Sequence, residues 1–111
     1  MKLQSEVFGF LPDGRKVQIF TLQNDNNISI KITNYGGIIT RIETPDKNGN
    51  IENIAWGFDK LEHYLSEEYL KSYPFFGCLI GRFGNRIAKG HLEIEGKTYQ
   101  LAINNGPNHL Y

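Results

Sequence analysis

Apolar and polar residues alternate with a period of two along most of this chain, which is the spacing of half-buried strands. Glu6–Leu11 and Arg15–Gln23 alternate in this way on either side of Pro12-Asp13-Gly14. Pro presets one turn dihedral and Gly accepts a positive φ, so the break predicts a hairpin. Asn24-Asp25-Asn26-Asn27 predicts a second turn, after which Ile28, Ile30 and Ile32 alternate with Ser29, Lys31 and Thr33. Tyr35-Gly36-Gly37 predicts a bend or a close backbone approach before a strand at Ile38–Thr44. An Asn-Gly turn within Pro45–Asn50 leads to a strand at Ile51–Phe58. Tyr73–Ile80 reads as a buried strand or extended segment. His91–Ile94 and Thr98–Leu101 flank Glu95-Gly96-Lys97 and predict the clearest hairpin of the chain.

Only Lys60–Tyr69 departs from this pattern. Leu61, Tyr64 and Leu65 fall at near-helical spacing over about two turns, which predicts one short surface helix. The fold class is therefore all-β, a sandwich of about nine short strands with at most one short helix. No internal repeat, low-complexity tract or linker is visible, so residues 1–111 are expected to lie within a single domain.

Charge and composition narrow the partners. Twelve basic residues balance twelve acidic ones, and no basic run exists to attract nucleic acid or an anionic membrane. No apolar stretch approaches the length of a membrane span, and the first residues carry no secretory h-region, which leaves the cytoplasm as the expected compartment. The lone Cys78 sits within Phe75–Ile80 and reads as a small buried thiol. His63, His91 and His109 lie far apart and offer no zinc spacing, so no metal is expected. Seven Phe, six Tyr and one Trp suit strands, and they also suit the C–H faces of sugars.

The chemistry concentrates in Gly81-Arg82-Phe83-Gly84-Asn85-Arg86-Ile87-Ala88-Lys89-Gly90. Glycines let backbone and ligand approach closely. Arg presents a planar fork of donors and Asn both a donor and an acceptor, a match for neighbouring sugar hydroxyls. The same arginines could instead pair with carboxylates or carbonyls and pin the loop. The Gly77, Gly81, Gly84 spacing does not fit a dinucleotide loop, and Glu67-Glu68 and Glu93/Glu95 read as solvated carboxylates.

This stretch resembles the "GRxxNRI" signature of the aldose 1-epimerase (galactose mutarotase) family. Asn34-Tyr35-Gly36-Gly37 is similar to that family's "NYGA", Ala55-Trp56-Gly57-Phe58-Asp59 to its "LGFD", Glu95–Leu101 to "dGkxyxL", and Asn104-Asn105-Gly106-Pro107-Asn108 to "NNGPN". The segments occur in unbroken order over nearly the whole chain. The resemblance implies part of a galactose-mutarotase-like β-supersandwich about three times this length, acting without a cofactor on free hexoses such as galactose and glucose. It implies acid–base catalysis, in which a Glu takes the anomeric hydroxyl proton while a His protonates the ring oxygen. Both lie beyond position 111, so no catalytic residue is expected here, and the chain is expected to be the N-terminal partial domain, inactive alone.

Asn85 and Arg86 match the pair that hydrogen-bonds sugar hydroxyls and are the expected substrate-binding residues; Arg82 is expected to be structural. Tyr111 stands in the slot where the family has a substrate-facing His, and His109 does not fill that slot. A complementary C-terminal polypeptide is an expected partner. The competing reading is a non-catalytic carbohydrate-binding or sensing module; a hexose-6-phosphate epimerase would need surplus basic residues that are absent.

Overall fold

The computed structural model describes residues 1–110. It contains two compact units, Met1–Leu79 and Ile80–Tyr111. The first is built on a five-stranded antiparallel sheet in the order of the chain: β1 (Lys2–Phe10), β2 (Lys16–Gln23), β3 (Ser29–Thr33), β4 (Ile39–Pro45) and β5 (Ile51–Asn53). The Pro12-Asp13-Gly14 hairpin forms as expected, with Gly14 at φ 87° and Asp13 accepting from both the backbone N–H and Nε of Arg15. Asn24 shapes the next turn by accepting from the N–H groups of Asn26 and Ile28. Asp46 does the same for Asn48 and Asn50 in the third turn. Each turn is thus fixed by a side chain that mimics a backbone acceptor.

The fifth strand is shorter than the alternation predicts. Asn53 Oδ1 accepts from the N–H groups of Ile42 and Ala55, both at 3.1 Å. A side chain therefore takes a place in the ladder that a backbone carbonyl would fill, and the chain leaves the sheet.

The predicted single helix is two, α1 (Leu61–Tyr64) and α2 (Glu67–Ser72). Ser66 divides them. Its backbone is extended, and its hydroxyl donates to the His63 carbonyl (2.8 Å) while accepting from the Tyr69 N–H (3.3 Å). A serine that caps a new helix also ends the old one. Leu61 lies against Gly9 of β1, where a Cβ would come within 2.9 Å of its Cδ2.

The core of this unit is aromatic. Phe58 meets Tyr64 and Tyr69 edge-on, with ring centroids 5.0 and 5.5 Å apart. Tyr64 is wholly buried and its hydroxyl accepts from the Phe58 N–H at 2.8 Å; the Tyr69 hydroxyl accepts from the Phe76 N–H at 3.0 Å. Two rings thus fill the core while their hydroxyls satisfy loop backbone. Burial raises both phenols above their ordinary pKa, and raises Tyr73 to about 12.

Residues 73–80 are a turn-rich loop rather than a buried strand. Tyr73, Phe75 and Gly77 all have positive φ, and Leu79 and Ile80 are exposed. The loop is tied to β4 by one bond, Ile39 N–H to the Gly77 carbonyl at 2.9 Å. At Gly77 a Cβ would collide with the Ile39 carbonyl oxygen, so only glycine fits this approach. Cys78 is half-buried and unpaired, with its thiol pKa raised by burial.

The second unit has two small antiparallel pairs. β6 (Arg86–Ile87) pairs with β9 (His109–Leu110), and β7 (His91–Ile94) pairs with β8 (Lys97–Gln100) across a two-residue turn. Glu95 and Gly96 both have positive φ, the geometry that favours a tight hairpin. Ile87 and Gly90 are its buried residues among those described.

Candidate functional site

Arg86 begins β6, opposite Leu110, directly after Asn85. Asn85 occupies the left-handed region at φ 68°, which asparagine tolerates better than most residues. This conformation lets its side chain turn back on its neighbour: Asn85 Oδ1 accepts from Arg86 Nη1 at 3.3 Å. Arg86 Nε donates to Asn105 Oδ1 at 2.8 Å. The guanidinium is therefore held on two edges by amide oxygens, with no carboxylate among its described partners. A guanidinium held by neutral amides keeps its full charge available for another acceptor. Its Nη2, and the Asn85 amide nitrogen, carry donors that no described side chain or carbonyl receives.

Asn105 was not among the sequence-predicted site residues. Its signal lay in the Asn-Asn-Gly-Pro-Asn stretch, but only folding shows which asparagine reaches Arg86. The other two build the loop. Asn104 forms a two-way bond with Leu110, accepting from its N–H (2.7 Å) and donating to its carbonyl (2.9 Å). Asn108 accepts from the Lys89 N–H at 3.2 Å. A backbone bridge joins Asn105 to Asn108 and closes the turn. The asparagine loop thus fixes β9 against β6 and holds Asn105 under the arginine.

Several other candidates are placed elsewhere. Arg82 lines a cavity of about 250 Å³ with Phe83, Ile87, Leu92, Leu101 and His109, and neither Asn85 nor Arg86 borders it. His109 Nδ1 lies 2.7 Å from the Ala102 carbonyl oxygen. A carbonyl only accepts, so Nδ1 carries the proton and His109 serves as a brace for its loop. Glu93 and Glu95 are exposed, as their alternation suggested. His63 is exposed and edge-on to Phe58. Tyr111 lies outside the described residues. Among the described residues, no group of three His, Cys, Asp or Glu could hold a metal ion. Among the described residues, no helix is long and apolar enough to cross a membrane.

Comparisons with known proteins place the chain in a family and give its fold neighbours. The family model for aldose 1-epimerase matches residues 18–111. Galactose mutarotase of Bos taurus is 45% identical over 106 residues, covering 95% of this chain and 29% of that protein. Galactose mutarotase of Homo sapiens is 43% identical over the same length, again with 95% and 29% covered. Among solved structures, a galactose 1-epimerase from Lactobacillus acidophilus superposes with a TM-score of 0.70 at 25% identity, covering 98% of this chain and 30% of its own. A GalM/aldose epimerase homologue from C. elegans gives 0.66 at 30% identity, covering 81% and 26%. An all-β chain that carries this segment and matches the family over residues 18–111 belongs to the aldose 1-epimerase family, a family of isomerases. It spans less than a third of the length of these relatives.

Proposed function

We propose that this chain contributes one wall of the sugar site of an aldose 1-epimerase that interconverts the α- and β-anomers of free hexoses such as galactose and glucose. The observation that carries the reading is the Arg86 guanidinium, steadied by Asn85 and Asn105 with donors left over. Adjacent sugar hydroxyls present acceptors at the spacing of such a fork. Asn85 and Arg86 bind the sugar, and Asn105 positions Arg86.

In ring opening a base removes the proton of the anomeric hydroxyl, the bond from the anomeric carbon to the ring oxygen breaks, and an acid delivers a proton to that oxygen. Rotation of the aldehyde and reclosure give the other anomer. The chain supplies the binding wall for this reaction and, in our reading, neither the acid nor the base. It works with a complementary polypeptide, in the cytoplasm, and is inactive alone.

Calorimetric titration of galactose and glucose against the chain, with Arg86→Ala as control, tests the site. Binding by the wild-type chain that the variant loses is the expected result. Equal binding by both would remove the assignment. A polarimetric assay tests inactivity: turnover well above buffer by the isolated chain would overturn it.

A further inference from the structure

Asn105 is followed by glycine, and so is Asn48. An Asn-Gly pair is prone to lose the side-chain amide, because no Cβ on the second residue shields its backbone nitrogen from the Cγ of the first. In that reaction the glycine N–H gives up its proton and the nitrogen forms a bond to Cγ. The Cγ–Nδ2 bond breaks, and ammonia carries the proton away. Water then opens the five-membered imide at either carbonyl and leaves aspartate or isoaspartate, so that one water is consumed and one ammonia released. A fold sets the rate through two things: what holds the glycine N–H, and what meets the negative charge that develops on Oδ1.

The two pairs differ in both. They are equally open, since among the described residues a Cβ at either glycine would meet nothing within 4 Å. Gly49 N–H, however, donates to the Asp46 carbonyl at 3.0 Å, a bond that attack on Asn48 would break. The Asp46 carboxylate also accepts from the N–H groups of Asn48 and Asn50, and the side-chain hydrogen bond from Asn50 holds its carboxyl below the ordinary range. A negative charge therefore sits at this turn and opposes a second one. Gly106 N–H has no acceptor among the described residues. Asn105 Oδ1 accepts from Arg86 Nε at 2.8 Å. A cationic donor on a carbonyl oxygen makes the carbon more electrophilic, and the bond strengthens as that oxygen becomes an oxyanion.

We propose that Asn105 is a modification site, deamidated in the folded chain with Arg86 as the oxyanion donor, and that the carboxylate so formed closes on the Arg86 guanidinium. A carboxylate in place of a neutral amide turns the hydrogen bond into an ion pair and engages the charge that the amide left available. Isoaspartate also lengthens the backbone inside the bridge between Asn105 and Asn108. The chain thus carries a slow chemical off-switch for its own sugar wall. The loss of sugar binding rests on the reading of Arg86 as a sugar ligand; the reaction at Asn105 does not.

Peptide mapping by mass spectrometry follows both asparagines in one sample while the chain is held in mildly alkaline buffer. In denaturant the two sites are the same dipeptide and should react at similar rates. In the folded chain Asn105 should outpace Asn48 by about tenfold or more, at or below the scale of one oxyanion donor. Arg86→Gln, checked for fold by circular dichroism, should return the ratio toward its value in denaturant. A folded ratio no higher than the denatured one would overturn the site, and this comparison needs no variant. A high ratio that Arg86→Gln leaves unchanged would overturn the role of Arg86. Asn105→Asp reproduces one product and should bind galactose about tenfold more weakly than wild type in titration calorimetry. Equal binding would overturn the closure of the carboxylate on Arg86. Absence of galactose binding by the wild-type chain would instead remove the sugar-site reading, while the ratio of rates still decides the modification.

Discussion

Residues 1–79 are held by a five-stranded ladder and a cluster of edge-on and tilted rings; residues 80–110 are held largely by amide side chains. In the first region Tyr64, Tyr69 and Ile38 are buried together, and each tyrosine hydroxyl also receives a loop N–H. In the second, Asn104, Asn105 and Asn108 bind a strand, an arginine and a backbone amide, with Ile87 as the buried side chain. Apolar packing stabilises in proportion to area but is indifferent to direction, whereas a hydrogen bond fixes one atom against another. The difference fits the division of work we propose: the ring cluster keeps the sheet, and the asparagine loop aims Arg86.

The contrast can be broken most forcefully at its buried centre. Tyr64→Ala should cost about 3–5 kcal/mol, through the cavity and the orphaned Phe58 N–H. Denaturant unfolding should show it, and a loss near zero would mean that the ring cluster is not what holds the sheet. Gly77→Ala is expected to cost about 1–3 kcal/mol, because it forces a left-handed φ and a clash with the Ile39 carbonyl. The same unfolding curves would measure it.

Asn105→Ala should leave the unfolding of residues 1–79 unchanged and weaken sugar binding by about fivefold, a loss of about 1 kcal/mol. Titration calorimetry against galactose reads the effect; an unchanged affinity would show that Arg86 needs no brace.

Two pH effects sharpen the comparison further. The Tyr73 phenol rises from an ordinary 10.0 to about 12, chiefly through burial. Its contribution is therefore complete below pH 10 and is lost as the pH climbs toward 12. Alkaline unfolding, followed by phenolate absorbance, should be shallower in Tyr73→Phe. The smallest effect is expected at Glu43, whose pKa is lowered first by the hydrogen bond from Arg41 and then by that from Ser29. A lowered acid stabilises above the ordinary carboxylate range and loses that contribution as the pH falls. Glu43→Gln should flatten the acid limb slightly, because the Arg41–Glu43 pair is only partly screened from water.

Much of the sheet was legible because alternation encodes it. Val17 and Ile19 face inward, the turns fall at Asp13-Gly14 and Asn48-Gly49, and the hairpin at Glu95-Gly96 appears where its residues require it. The elements misread are those in which a side chain interrupts a regular pattern. Asn53 stops β5, Ser66 splits the helix, and positive φ at Tyr73, Phe75 and Gly77 turns an apolar run into a loop. A periodicity argument sees hydrophobic spacing and not the hydrogen bonds that compete with it.

The sequence by itself determined the all-β class, the turns and, through its resemblance, the candidate pair Asn85 and Arg86. Period-two spacing and local turn chemistry are properties of neighbouring residues, so they survive without a fold. Tertiary structure alone decided that Asn105, nineteen positions away, grips Arg86, that His109 braces a carbonyl, and that Leu61 of α1 packs against Gly9 of β1. Those are contacts between distant residues, and only the closed chain brings them within hydrogen-bonding reach.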